Sequence, residues 1–196
     1  SISMLMPAGL LASELPADIT ELTASKLSAA IRDRQVSCLE VMQAYLQRIE
    51  RYNPVYNAIV NLADQDGLLG QARRADAALD KGEYWGWMHG MPHAVKDLAN
   101  VEGMITTSGS RLYANRVATA DSSLVASVRA QGAIFIGKTN TPEFGLGSQT
   151  YNEVFGATGS AWNPALTAGG SSGGAACGLG THMLPVADGS DMMGSL

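Results

Sequence analysis

The sequence predicts an α/β fold, and three observations carry that expectation. A helix signal at 121–131 is followed by Gly132 and then by the wholly apolar run 133–136, the look of a buried parallel strand beside its covering helix. A second apolar run, Pro92-His93-Ala94-Val95-Lys96-Asp97-Leu98, reads as another buried strand. Ahead of it stand three amphipathic helical patterns of the kind that cover a core.

The first pattern, 23–35, places Leu27, Ala30 and Ile31 on one face, with Thr23 or Ser25 as N-cap. The second opens on Ser37-Cys38-Leu39-Glu40, a capping box in which serine and glutamate satisfy each other's free backbone amides. Met42, Leu46 and Ile49 follow at helical spacing, and Tyr52-Asn53-Pro54 predicts the stop. The third, 64–81, runs through Leu68, Ala72, Ala75 and Leu79 to Gly82. The helix at 121–131 takes Asp121 as its cap. Residues 150–167 are polar and turn-rich and predict a wrapping loop.

Composition narrows the function classes. With 196 residues, 46% apolar and 16% charged, the chain suits one sizeable core. A net charge of −5 without a basic cluster disfavours nucleic-acid binding. Cys38 and Cys177 form no CxxC pair, which argues against a zinc site or a disulfide framework and fits a reducing, cytoplasmic setting. No apolar stretch reaches the roughly 18 residues of a membrane span. Residues 1–22 read as an N-terminal arm ahead of a domain over 23–196.

The chemistry concentrates in the glycine-dense stretch 169–196, GGSSGGAACGLGTHMLPVADGSDMMGSL. Glycine at that density implies positive φ or close approach of the backbone to another group, here a substrate. The stretch reads as a loop and helix start between apolar segments, the second at 183–187. Lys96 lies amid apolar neighbours. A lysine in solvent at a strand end is the plain alternative, but a buried one must be paired or lose its proton readily, which makes it a candidate general base. His89, His93 and His182 sit in no recognisable triad and read as surface or supporting residues.

Two local motifs compete. Residues 132–139, GAIFIGKT, match the phosphate-loop expression, yet the intervening residues are themselves the strand, where a phosphate loop must follow one. Gly169-Gly170-Ser171-Ser172-Gly173 matches the GxSxG nucleophile elbow, which needs a strand before it, whereas 163–168 reads as loop.

GGSSGG followed by GSDMMGSL resembles the signature of the amidase signature family, serine hydrolases with a Ser-Ser-Lys triad. The segments Gly90-Met91-Pro92-His93-Ala94-Val95-Lys96-Asp97 and Gly137-Lys138-Thr139-Asn140-Thr141-Pro142-Glu143-Phe144 resemble two further family landmarks, and the intervals from Lys96 to Ser171 and from Ser171 to Ser195 are of the size the family uses. The resemblance implies a mixed, mostly parallel sheet covered by helices on both faces, of which this chain holds the N-terminal part. It implies that Ser195 attacks an amide carbonyl, Ser171 relays the proton and uncharged Lys96 accepts it. It further implies a cis bond at Gly170-Ser171, an oxyanion and substrate-binding set of Met192, Met193, Gly194, Ser195 and Gly145, and support from Ser172, Asp191 and Gly170. The sequence departs from the family in having Met193 where a glycine is usual, a side chain that bears on the acyl pocket, as does the loop 144–152.

The expected activity is hydrolysis of a small-molecule carboxylic amide to acid plus ammonia or amine, through an acyl-enzyme and without cofactor or metal. No nucleic-acid or membrane partner is expected, and a homodimer is compatible. The alternatives are the amidase subunit of a tRNA-dependent amidotransferase, a segment limited to binding or assembly, and, as an outside reading, a phosphate-loop nucleotide binder.

Overall fold

The computed structural model describes residues 15–196; positions 1–14, most of the expected arm, lie outside the described residues. The rest of that arm packs down through a 3-10 turn, Ile19–Glu21, with Thr20 buried.

Helix α1 spans Ala24–Arg32. Its N-cap is Thr23, which accepts the Lys26 amide, and Leu27, Ala30 and Ile31 are buried as predicted. It ends sooner than its periodic pattern because Arg34 turns left-handed (φ 59°) and the Gln35 amide folds back onto the Ala30 carbonyl. Helix α2, Cys38–Tyr56, begins with both arms of the Ser37/Glu40 capping box in place. It runs past the expected stop, with Pro54 inside its last turn and Asn57 left-handed after it. The Asn53 side chain accepts the Ala58 and Ile59 amides and donates to the Ile59 carbonyl. Those three bonds tie the helix end to the next strand and offset the amide bond Pro54 cannot make. Helix α3, Gln65–Asp80, is capped by Asp64 on the Gly67 amide, with Gly82 (φ 80°) just beyond its end.

Strands β1 (Ile59–Val60), β2 (Pro92–Lys96) and β3 (Ile134–Thr139) form one sheet in the order β1-β3-β2, with β2 parallel and β1 antiparallel to β3. β2 stops at Lys96, short of the predicted Leu98, because the Leu98 and Ala99 amides turn back onto the Lys96 carbonyl. β3 runs three residues beyond its apolar core, since Lys138 and Thr139 pair with Val95 and Lys96. The GKT letters are therefore strand, and the Lys138 ammonium is buried against the Ala99 carbonyl and Thr106 Oγ1.

The sheet is covered on both faces. Ala94, Ile134 and Ile136 join Leu27, Ile31, Met42, Ile49 and Leu68 of α1–α3 in the larger core. Val95 and Phe135 pack with Val101 and with Val125 of helix α4, Ser123–Ala130. Burying each such side chain contributes about 1.5–3 kcal/mol, which fixes which way each strand faces. Asp121 does not cap α4: its carboxylate accepts the Glu102 amide and pairs with Arg129, and Ser122 takes the cap position.

The segment expected as a wrapping loop contains a short antiparallel hairpin, β4 (Tyr151–Asn152) and β5 (Gly156–Ala157). Helix α5, Gly173–Gly180, then crosses the C-terminal edge of the sheet. Its start depends on glycine. A Cβ on Gly174 would press into the Asn140 amide nitrogen and lie 2.7 Å from the Ala58 carbonyl oxygen. Residues 183–187 form bends, with Met183 and Leu184 buried in the larger core.

Candidate active site

β2 carries Lys96 to the sheet edge, where its ammonium meets the start of α5. Lys96 Nζ lies 2.7 Å from Ser171 Oγ, 2.9 Å from Ser172 Oγ and 2.9 Å from Ser190 Oγ. Lysine has three donors, and three hydroxyls accept them. The side chain is 2% exposed, so the plain reading of Lys96 as a solvated strand end does not hold. Burial pulls its pKa below the ordinary lysine value, against the carboxylates of Asp188 and Asp191, which act in the opposite direction.

The serines differ in what their protons can do. Ser172 Oγ donates to the Ser190 carbonyl at 3.3 Å, so its hydroxyl serves Lys96 as an acceptor. Ser171 is buried, lies next to the cis bond Gly170–Ser171, and its carbonyl accepts from Thr141 Oγ1. With the amine neutral, Ser171 is free to donate to the nitrogen lone pair, whereas the Ser172 proton is directed at the Ser190 carbonyl.

Around this cluster lies a cleft of about 520 Å³ whose walls include Leu98, Phe144, Gly145, Leu146, Met192 and Met193, with Ser171, Ser190, Asp191 and Ser195 as its polar lining. Gly145 (φ 72°) sits on that wall because a Cβ there would run into Leu98. Ser171 and Ser195 thus share one cleft. The amides of Gly194 and Ser195 both donate to Asp191 Oδ1, at 2.5 and 2.9 Å. Those bonds, led by the Ser195 amide, hold the Asp191 carboxyl below its usual range. Two of the four amides expected to cradle an oxyanion are therefore engaged by Asp191, which closes the turn preceding Ser195.

Sequence reasoning passed over Ser190 and Asp188. Their only signal was position, Ser190 within the GSD segment and Asp188 just before it, and their reach to Lys96 depends on how 185–190 folds back over β2. It also read His89 and His93 as surface or supporting residues without assigning partners. Both are buried: His89 bonds the Ala75 carbonyl and the Trp85 amide, and His93 faces Asp188. His182 approaches the Thr20 carbonyl.

The GKTN segment is a buried brace. Asn140 Nδ2 bonds Thr158 Oγ1, its Oδ1 accepts from Asn152, and its carbonyl accepts the Gly174 amide, so β3, the hairpin and α5 are pinned together beneath Ser171. Among the described residues no cluster of metal-ligating side chains is found, and no helix is long and apolar enough to cross a membrane.

The chain matches the model of the Amidase family over residues 40–196. It is 40% identical over 179 residues to a subunit of the glutamyl-tRNA(Gln) amidotransferase of Acidothermus cellulolyticus, covering 91% of this chain and 35% of that protein. It is 37% identical over 175 residues to an acylamidase of Rhodococcus erythropolis, covering 89% and 36%. The structure of a bacterial aryl acylamidase of the amidase signature enzymes superposes with a TM-score of 0.79 at 31% identity, covering 85% of this chain and 34% of that one. The chain thus spans about a third of the length of the curated relatives it matches. A buried lysine held by the serines of GGSSGG, on a sheet of this topology and with that family match, makes this chain a member of the amidase family, of the amidase signature type.

Proposed function

We propose that the protein hydrolyses a carboxylic amide through a serine acyl-enzyme, with Ser195 as nucleophile, Ser171 as relay and Lys96 as base. The observation that carries the reading is the 2.7 Å contact between the buried Lys96 Nζ and Ser171 Oγ, in a cleft that Ser195 also lines. Ser195 Oγ forms a bond to the carbonyl carbon as its proton passes to Ser171 and the Ser171 proton passes to the neutral amine. The tetrahedral intermediate collapses, the C–N bond breaks, and the leaving nitrogen takes a proton back along the same path. Water, deprotonated by that path in turn, releases the acid.

The negative oxygen is stabilised by the amides of residues 192–195, with Gly194 and Ser195 exchanging the Asp191 carboxylate for the oxyanion. The apolar walls of the cleft suit a small-molecule amide with an apolar acyl or amine part.

A fluorophosphonate probe followed by peptide mass spectrometry tests the assignment. The adduct is expected on Ser195 and absent in Ser171→Ala; an adduct elsewhere, or undiminished amide hydrolysis by Ser195→Ala, overturns it. A second reading has its own support: the relative from Acidothermus cellulolyticus belongs to a glutamyl-tRNA(Gln) amidotransferase, so the same chemistry would release ammonia from an amide for a partner protein. Turnover of amides by the purified protein without partners excludes that role as the necessary one.

A further inference from the structure

At the Lys96 backbone lies a largely buried acidic group that the reaction as described does not use. Both oxygens of Asp188 stand 3.2 Å from the Lys96 backbone amide, so the carboxylate caps the end of β2. Its Oδ1 is also 3.2 Å from His93 Nε2, an ion-pair distance at an angle too poor for a directed hydrogen bond. The side chains of His93 and Asp188 are 3% and 10% exposed, and neither ring nitrogen of His93 has another partner among the described residues. A carboxylate is taken out of water only where something compensates it. Here the compensation is one backbone amide, one imidazole and the nearby lysine charge.

We infer that Asp188, steadied by His93, is a positioning residue that locks the end of β2 to the 185–190 segment and thereby sets where the Lys96 amine stands and how readily it gives up its proton. The inference rests on the proposed role of Lys96 as base. Its basis is geometric: β2 delivers Lys96, residues 185–190 deliver Ser190 to the same ammonium, and Asp188 is the hydrogen-bonded joint between the two. The groups that face Asp188 are Lys96, His93 and, at longer range, Lys138; those that face Lys96 are Asp188 and Asp191. Asp188 and Asp191 both favour the charged lysine, against burial. An acid placed near the base therefore keeps Lys96 from becoming too weak to accept a proton while the joint holds it in line with Ser171.

The test reads Lys96 directly, so that it does not depend on turnover. The chain is labelled with ¹³C and ¹⁵N in lysine, the Lys96 signal is assigned by its loss in Lys96→Arg, and its titration is followed by NMR. In Asp188→Asn, which keeps an acceptor for the Lys96 amide and removes the charge, the midpoint is expected to move to lower pH by roughly one unit. Asp188→Ser, a smaller acceptor without charge, makes the same measurement if the asparagine protein does not fold. A midpoint unchanged in the folded variant overturns the proposal. Hydrolysis is measured in parallel: the acid limb of kcat/KM moves down with the NMR midpoint, and Asp188→Ala, which lacks the acceptor as well, lowers kcat at least tenfold more than Asp188→Asn. A shifted midpoint in a protein without amide turnover leaves the Asp188 joint standing and refutes the hydrolase reading instead.

Discussion

Lys96 Nζ and Ser171 Oγ stand 2.7 Å apart although 75 positions separate them in the chain. The contact exists because β2 ends where α5 begins, and burial there makes the lysine lose its proton more readily than one in water.

That relationship gives the first prediction. Lys96→Met is expected to lower kcat/KM for an amide by about 10³-fold or more, within the range set by loss of a positioned base, without unfolding the protein. Lys96→Arg will not restore it, since a guanidinium stays protonated. In the proposed mechanism the neutral amine is the active form, so kcat/KM of the parent is expected to rise with pH through a midpoint below the ordinary lysine value. Steady-state kinetics between pH 5 and 10, with circular dichroism of each variant, checks the set.

Lys138 supplies a stability test. Burial brings its pKa down from 10.5 to about 8, with Asp97 and Asp188 opposing. Between those values the unfolded chain binds more protons than the native one, so this residue makes stability rise with pH from about 8 to about 10.5, by roughly 3 kcal/mol at most. Below pH 8 both states hold the proton and the cost of burying the charge is fully present. Lys138→Met, which also loses the bonds to Ala99 and Thr106, is expected to flatten that slope. Urea melts at intervals of half a pH unit measure the difference.

Gly174→Ala is expected to destabilise the protein by about 1–3 kcal/mol, since a methyl group there pushes α5 off the Asn140 amide and the Ala58 carbonyl. Ser171 lies three residues upstream, so activity falls along with stability. Chemical denaturation and hydrolysis rates on the same preparation will show both.

Ser37→Ala removes the Ser37 side of the capping box at the start of α2, far from the cleft. The expected cost is about 1 kcal/mol of stability with kcat/KM unchanged. A large loss of activity would mean that the start of α2 is coupled to the site.

Asp191→Ala frees the Gly194 and Ser195 amides from the carboxylate that now gathers them. If that turn presents the nucleophile, fluorophosphonate labelling at Ser195 is expected to slow by about tenfold or more while the protein remains folded. Labelling at the parent rate would show that the turn forms without Asp191.

Much of this molecule was legible in the residues themselves. Capping chemistry marked Thr23 and Ser37, because a cap is a contact between near neighbours, and helical spacing marked the third helix. The apolar runs marked β2 and β3, and the proline, alanine, valine and leucine around Lys96 pointed to a buried strand, where the side chain is indeed buried. The failures were of another kind. Asp121 looked like a cap and instead pairs with Arg129, Pro54 looked like a stop and is overridden by the Asn53 side chain, and β3 runs on to Thr139 past the apolar run that marked it. In the first and last cases a partner farther along the chain outweighed the local preference, and at Pro54 the Asn53 side chain did so across five and six positions.

What the sequence by itself determined is the set of helices and buried strands, and the placing of a lysine and a run of serines among glycines that leave the backbone room to approach. Only the tertiary structure decided that Ser190 and Asp188 join Lys96, that His93 stands behind Asp188, and that Asp191 gathers the amides ahead of Ser195. The physical reason is that spacing along the chain governs hydrogen bonds within a turn or a helix. Contacts across 92 or 94 positions follow from how the sheet edge, α5 and the 185–190 segment pack, and packing is a property of all of them at once.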